Sequence, residues 1–135
     1  FTAWKIHIII EVKKRAIIIE DTEDDKVIVT RGLERIGLEV FSHHCFICPY
    51  GFLLNPDVIL SDTNTHLNKP NPDYVGIIRE AYGRDIPIIG MSAVDVSRER
   101  WASVGIDQFL LKPTDFLRKR EETLKRVVYG TINRS

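Results

Sequence analysis

A chain of 135 residues, 44% hydrophobic and 28% charged, has ordinary globular composition and the length for one domain with a single core. Its 19 Lys and Arg balance 19 Asp and Glu, which removes the long-range electrostatic case for a nucleic-acid or anionic-membrane binder and leaves local charge placement to carry function. Two cysteines are too few for a disulfide framework, so a reducing cytoplasm is the expected compartment. The longest apolar run, around Ile8–Ile10, is too short to span a bilayer. Residues 1–12 also lack the basic start, long apolar stretch and small-residue cleavage site of a signal peptide. The chain begins at Phe1 rather than Met, and both a stand-alone protein and a domain cut from a longer chain stay open.

In chain order, Trp4, Ile6, Ile8 and Ile10 mark residues 1–14 as an N-terminal extension: an extra strand, an arm or a tail, with Lys13-Lys14 separating it from the next apolar run. That run, Ala16–Ile19, is continuous. Thr22 then caps a helix, with Asp24 and Asp25 in its first turn, Val27, Val29, Leu33 and Ile36 within it, and Gly37 at its end. Leu38–Phe41 reads as a strand, and Pro49-Tyr50-Gly51 leaves little room for a second helix before the next run, Val58–Leu60. Pro72 and Asp73 open a helix that runs to Tyr82 and stops at Gly83. Ile86–Met91 is another strand, Ser97–Val104 a helix stopped by Gly105, and Phe109–Leu111 a last strand. Thr114 caps a final helix whose Phe116, Leu117, Leu124, Val127 and Val128 can face the core. Apolar runs that do not alternate are expected of strands covered on both faces, and alternation of runs with helices gives a β-α rhythm.

In such a sheet ligands bind beyond the carboxyl ends of the strands. The first run leads into Glu20-Asp21 and the run Val58–Leu60, through Ser61, into Asp62. Three carboxylates at one rim raise one another's pKa unless a cation joins them, and a hard divalent ion such as Mg²⁺ suits oxygen ligands. The other two strands lead to Ser92, a hydroxyl donor, and Lys112, a fixed cation. A carboxylate nucleophile with a metal, an ammonium and a hydroxyl around it suits phosphoryl transfer. Any one acid at a strand end could simply cap a helix or face water; the whole set at four strand ends is harder to obtain by chance.

Glu20-Asp21, Asp62, Ser92-Ala93, Phe109 and Lys112-Pro113 together resemble the response-regulator receiver domain, the CheY-like module of two-component signalling. The spacings agree: 41 residues from Asp21 to Asp62, 30 from Asp62 to Ser92 and 20 from Ser92 to Lys112. The resemblance covers Arg15 to Val128. It implies an α/β fold with a doubly wound, five-stranded parallel sheet of order 2-1-3-4-5, residues 15–128 as the receiver domain and 129–135 as a C-terminal tail. It further implies that Asp62 accepts a phosphoryl group from a partner's phosphohistidine, with Mg²⁺ held by Glu20, Asp21, Asp62 and the backbone carbonyl of Asn64. Lys112, the Ser92 hydroxyl and the Ala93 N–H would bind the phosphoryl oxygens. Ser92 and Phe109 would form the switch, and the peptide before Pro113 would be cis, which only an X-Pro bond makes cheap. The implied partners are a histidine kinase or histidine phosphotransfer protein, with a second copy or an output partner on the face of the fourth helix, fifth strand and last helix. Direct nucleic-acid or membrane binding is not implied. The chemistry is self-phosphorylation and self-dephosphorylation at one Asp rather than turnover of a substrate.

The chain departs from the family after Asp62, where Thr63–Pro72 is polar and carries His66 in place of the usual Pro, and in its degraded second helix. The segment from Ser92 to Gly105 is also about two residues short. These departures support the alternative of a pseudo-receiver, a protein-interaction module that keeps the fold without phosphorylation. Haloacid-dehalogenase-like phosphatases use a related Asp, Ser and Lys set, but their Asp-x-Asp is Asp21-Thr22-Glu23 here. His43-His44-Cys45-Phe46-Ile47-Cys48 crowds four zinc-type donors into six residues, a poor tetrahedral set, and reads instead as buried cysteine. Arg118, Lys119, Arg120, Lys125 and Arg126 make the last helix basic, either as a solvated face or as part of a partner surface. Trp101 reads as packing.

Overall fold

The computed structural model describes residues 12–20, 22–43, 55–62, 74–93 and 105–134. Apolar side chains on consecutive residues need cover on two sides, and the fold supplies it. Strands β1 (Arg15–Ile19), β2 (Glu39–His43), β3 (Val58–Asp62), β4 (Ile88–Ser92) and β5 (Gln108–Leu111) form one parallel sheet in the order β2-β1-β3-β4-β5. The expected α/β topology is the observed one.

Side chains alternate across the strands, so each strand feeds two cores. Ala16, Ile18, Val58, Leu60, Ile89, Met91 and Leu110 pack with helix α1 (Glu23–Arg35) and the last helix, α3 (Glu121–Ile132). Ile17, Ile19, Ile59, Ile88 and Phe109 pack on the opposite side with Val75 and Ile78 of helix α2 (Tyr74–Tyr82). Val29, Leu33 and Ile36 form the buried stripe of α1 and its end. Val27, off that stripe, is exposed. Thr22 occupies the N-cap of α1 without a side-chain cap bond; Glu23, Asp24 and Asp25 complement the helix dipole in its first turn instead. Gly37, just past the Ile36 C-cap of α1, and Gly83, directly after α2, have φ of +95° and +122°, a region open to glycine, and so let the chain reverse out of each helix.

Two segments differ from the sequence expectation. β4 begins at Ile88, not Ile86, because Pro87 has no N–H to donate to a ladder; its carbonyl still accepts from the Ile59 N–H at 2.9 Å. The chain after β5 does not enter a helix at Thr114. It makes two 3₁₀ turns, Thr114–Phe116 and Arg118–Arg120, separated by Leu117 in an extended conformation, and α3 starts only at Glu121. Leu117 is consequently exposed instead of facing the core. The anchor is Phe116, fully buried against α1, whose carbonyl accepts a 2.7 Å bond from Arg35 Nη2. α3 runs four residues past the expected domain end at Val128. Thr131 and Ile132 are buried there, and the Tyr129 hydroxyl donates to the Ile36 carbonyl at 2.8 Å. The expected helix over 97–104, the His43–Cys48 cluster beyond the His43 backbone, Trp101 and the extension up to residue 11 lie outside the described residues, as do Asp21, Asn64 and His66.

Candidate functional site

Strand register decides which residues share a rim. Ile19 pairs with Ser61, Ser61 with Gly90 and Gly90 with Phe109, while Asp62 pairs with Met91 and Ser92 with Leu111. Glu20, Asp62, Ser92 and Lys112 therefore stand together where four neighbouring strands end. The Lys112 N–H donates to the Ser92 carbonyl at 2.9 Å, tying the end of β5 to the end of β4, and the Lys112–Pro113 peptide is cis. Asp115 Oδ2 accepts the Leu111 N–H at 2.7 Å and so holds the backbone just before Lys112.

The Lys112 side chain runs inward rather than into solvent. Its ammonium lies 2.5 Å from Glu20 Oε2, 3.2 Å from Asp25 Oδ2 and 3.6 Å from Asp62 Oδ1, with 5% of the side chain exposed. Glu20 is buried outright, and its other oxygen, Oε1, accepts the Thr22 N–H at 3.2 Å. Burial pushes the Glu20 carboxyl up to about 7; the Asp62 charge pushes the same way, while the hydrogen bond and charge of Lys112 oppose it. For Lys112, burial acts to lower the pKa, but the bond to Glu20 and the charges of Asp62, Glu20 and Asp25 outweigh it and the net direction is upward.

Of the residues singled out in the sequence, the structure brings Glu20, Asp62 and Lys112 into contact range and sets Ser92, fully buried, on the same rim. Ala93 comes next in the chain and is exposed. Phe109 packs inward among Ile17, Ile59, Ile88 and their neighbours on the α2 side. Sequence reasoning missed Asp25. Acids in a first helical turn are explained by the helix dipole, and that explanation masked the one acid of the three that turns toward Lys112.

Among the described residues three carboxylates share one ammonium, so acidic groups outnumber basic ones at this rim. All the donors are carboxylate oxygens, the ligand type of a hard divalent cation. Among the described residues there is no group of three or more His, Cys, Asp or Glu arranged to hold a metal by itself. The charge and donor chemistry fit Mg²⁺, and Glu20 and Asp62 are the described residues that would contribute to holding it.

Two cavities of about 590 and 460 Å³ lie at the opposite rim, lined by Lys14, Asp57 and Arg84 in one and by Arg79, Asp107 and Arg134 in the other. That end is cross-braced. Arg79 donates to the carbonyls of Arg84, Ile86 and Gly105, and Asp107 Oδ2 accepts the Ile88 N–H at 2.8 Å. None of the candidate residues lines either cavity. Among the described residues no helix is long and apolar enough to cross a membrane.

No family model matches the sequence, and no curated protein matches it. Solved structures do match the fold. The receiver domain of a sensor histidine kinase from Pseudomonas aeruginosa PAO1, with a magnesium ion coordinated in its active-site cleft, superposes with a TM-score of 0.68 at 20% identity, covering 90% of this chain and 99% of that one. The chemotaxis response regulator CheY4 of Vibrio cholerae gives 0.67 at 20% identity, covering 89% and 99%. A two-component response regulator from Clostridium difficile gives 0.67 at 21%, covering 90% and 98%.

Proposed function

We propose, with the receiver-domain fold as the premise, that this chain is a phosphorylation-operated switch of a two-component system or phosphorelay. The observation that supports this reading is the approach of the Lys112 ammonium to Asp62 and Glu20 at the carboxyl rim of the sheet. Asp62 is the nucleophile. One of its carboxylate oxygens forms an O–P bond as the P–N bond of a partner's phosphohistidine breaks, and the electron pair returns to the imidazole. Lys112 stabilises the equatorial oxygens electrostatically from a site already desolvated and therefore poorly screened. The Ser92 hydroxyl and the Ala93 N–H complete the phosphoryl cradle.

Glu20, Asp21, Asp62 and the Asn64 carbonyl would hold Mg²⁺, which supplies charge neutralisation of the phosphoryl oxygens when bound. Glu20 is the residue whose protonation that charge would suppress, since an adjacent cation favours the carboxylate. Phosphorylation puts new acceptor oxygens beside Ser92, and movement of Ser92 with Phe109 would carry the signal to a partner face. The donor partner would be a histidine kinase or a histidine phosphotransfer protein.

The test is incubation with acetyl phosphate, with and without Mg²⁺, then measurement of intact mass. The reading expects an adduct of one phosphoryl group that requires Mg²⁺ and is absent from Asp62→Asn. Absence of an adduct in the wild type, joined to failure to bind a fluoride mimic of phosphate, would instead favour the pseudo-receiver.

A further inference from the structure

Resting on the switch reading above, we propose that Asp25 is a positioning residue that holds Lys112 before phosphorylation and yields it to the phosphoryl group afterwards. An ammonium has three N–H donors. In this structure Lys112 faces three carboxylates from three different elements: Glu20 after β1, Asp25 on α1 and Asp62 at the end of β3. Its side chain is 5% exposed, so water is a poor substitute for any of them.

A phosphoryl group on Asp62 brings about 1.5 to 2 negative charges and three acceptor oxygens. Lys112 bonds Glu20 and Asp25 but stands 3.6 Å from Asp62, beyond hydrogen-bond reach, so to close on the phosphoryl group the ammonium must draw off one of the two it bonds. Glu20 is the wrong one, because its bond to Lys112 is the shorter, 2.5 Å against 3.2 Å for Asp25, and its side chain has no exposure. Asp62 carries the new group. Asp25 has 31% of its side chain exposed and sits in the first turn of α1, where water and the helix N-terminus can both receive its charge. It is the partner that can be released at least cost. Until then it competes for Lys112 and repels the incoming dianion.

The experiment tracks the labelling of Asp62 by acetyl phosphate with saturating Mg²⁺. The Asp62 oxygen forms the O–P bond, the donor's P–O bond breaks and acetate leaves with the electron pair. Asp25→Asn removes the charge at constant shape and is expected to speed labelling and slow loss of the adduct by about twofold to fivefold, the range open to a partly exposed ion pair. Asp25→Glu keeps the charge and is expected to return both rates toward the wild type, which a purely structural role would not do; urea unfolding checks that both variants are folded. Labelling of Asp25→Asn at or below the wild-type rate overturns the proposal while leaving the switch reading in place. No adduct on Asp62 in any variant, wild type included, overturns both.

Discussion

Replacing Lys112 by Met keeps the length of the side chain and removes the cation that, among the described residues, is set against Glu20, Asp25 and Asp62. The consequence is pH-dependent, and its size comes from the geometry. In the wild type burial has already raised Glu20 to about 7, against 4.5 for an ordinary glutamate, even with Lys112 opposing the rise. A folded pKa above the unfolded one means that the protonated acid favours the fold. That contribution is complete below about 4.5 and is lost as pH rises through 7. Without Lys112, whose hydrogen bond and charge oppose the rise, the pKa moves further up. Between pH 6 and pH 8 the variant must then either hold a proton the wild type releases or bury an unpaired charge. Because one unit of pKa is worth about 1.4 kcal/mol, Lys112→Met should cost on the order of 1 kcal/mol more at pH 8 than at pH 6. Urea unfolding at the two pH values measures the difference. Adding Glu20→Gln to both proteins should erase it, because an amide has no proton to gain. A destabilisation that is equal at the two pH values, or smaller at pH 8, would refute the claim that Lys112 compensates Glu20.

Three other outcomes are expected. Mg²⁺ should stabilise the wild type against urea by about 2.7 kcal/mol at a hundred times its dissociation constant, and should bind more weakly below pH 7 as protons compete for Glu20; titration calorimetry at pH 6 and pH 8 checks the sign. Gly32→Ala should destabilise the fold by about 1–3 kcal/mol despite alanine's better helix propensity, since its Cβ would lie 2.8 Å from the Phe116 carbonyl oxygen; a neutral or stabilising result in thermal unfolding would contradict that packing. Asp107→Ala should cost about 1–3 kcal/mol by orphaning the Ile88 N–H and loosening Arg79, with no effect on labelling of Asp62.

Much of this was legible in the sequence because two-sided burial leaves a plain mark. Ala16–Ile19 and Val58–Leu60 are apolar at every position, and only a sheet covered on both faces asks for that. The acids and the lysine were legible for a related reason: Glu20, Asp62 and Lys112 each stand within a step or two of such a run, so the run's end locates them at the rim. What was not legible depended on tertiary fit. Thr114 looks like a helix cap, yet Phe116 must reach the hollow left by Gly32, and the chain between makes 3₁₀ turns to deliver it. Asp25 and its neighbours Glu23 and Asp24 are equivalent as helix-dipole partners. Only the inward path of the Lys112 side chain separates them.

The measurement closest to the central claim is to map the phosphoryl group itself. After reaction with acetyl phosphate and Mg²⁺, borohydride reduces an acyl phosphate to an alcohol, converting the modified aspartate to homoserine in the digested peptide. The account predicts homoserine at position 62 only, dependent on Mg²⁺ and sharply reduced in Lys112→Met. Homoserine at another acid, or none at position 62 under conditions where the protein is folded and binds Mg²⁺, would contradict it.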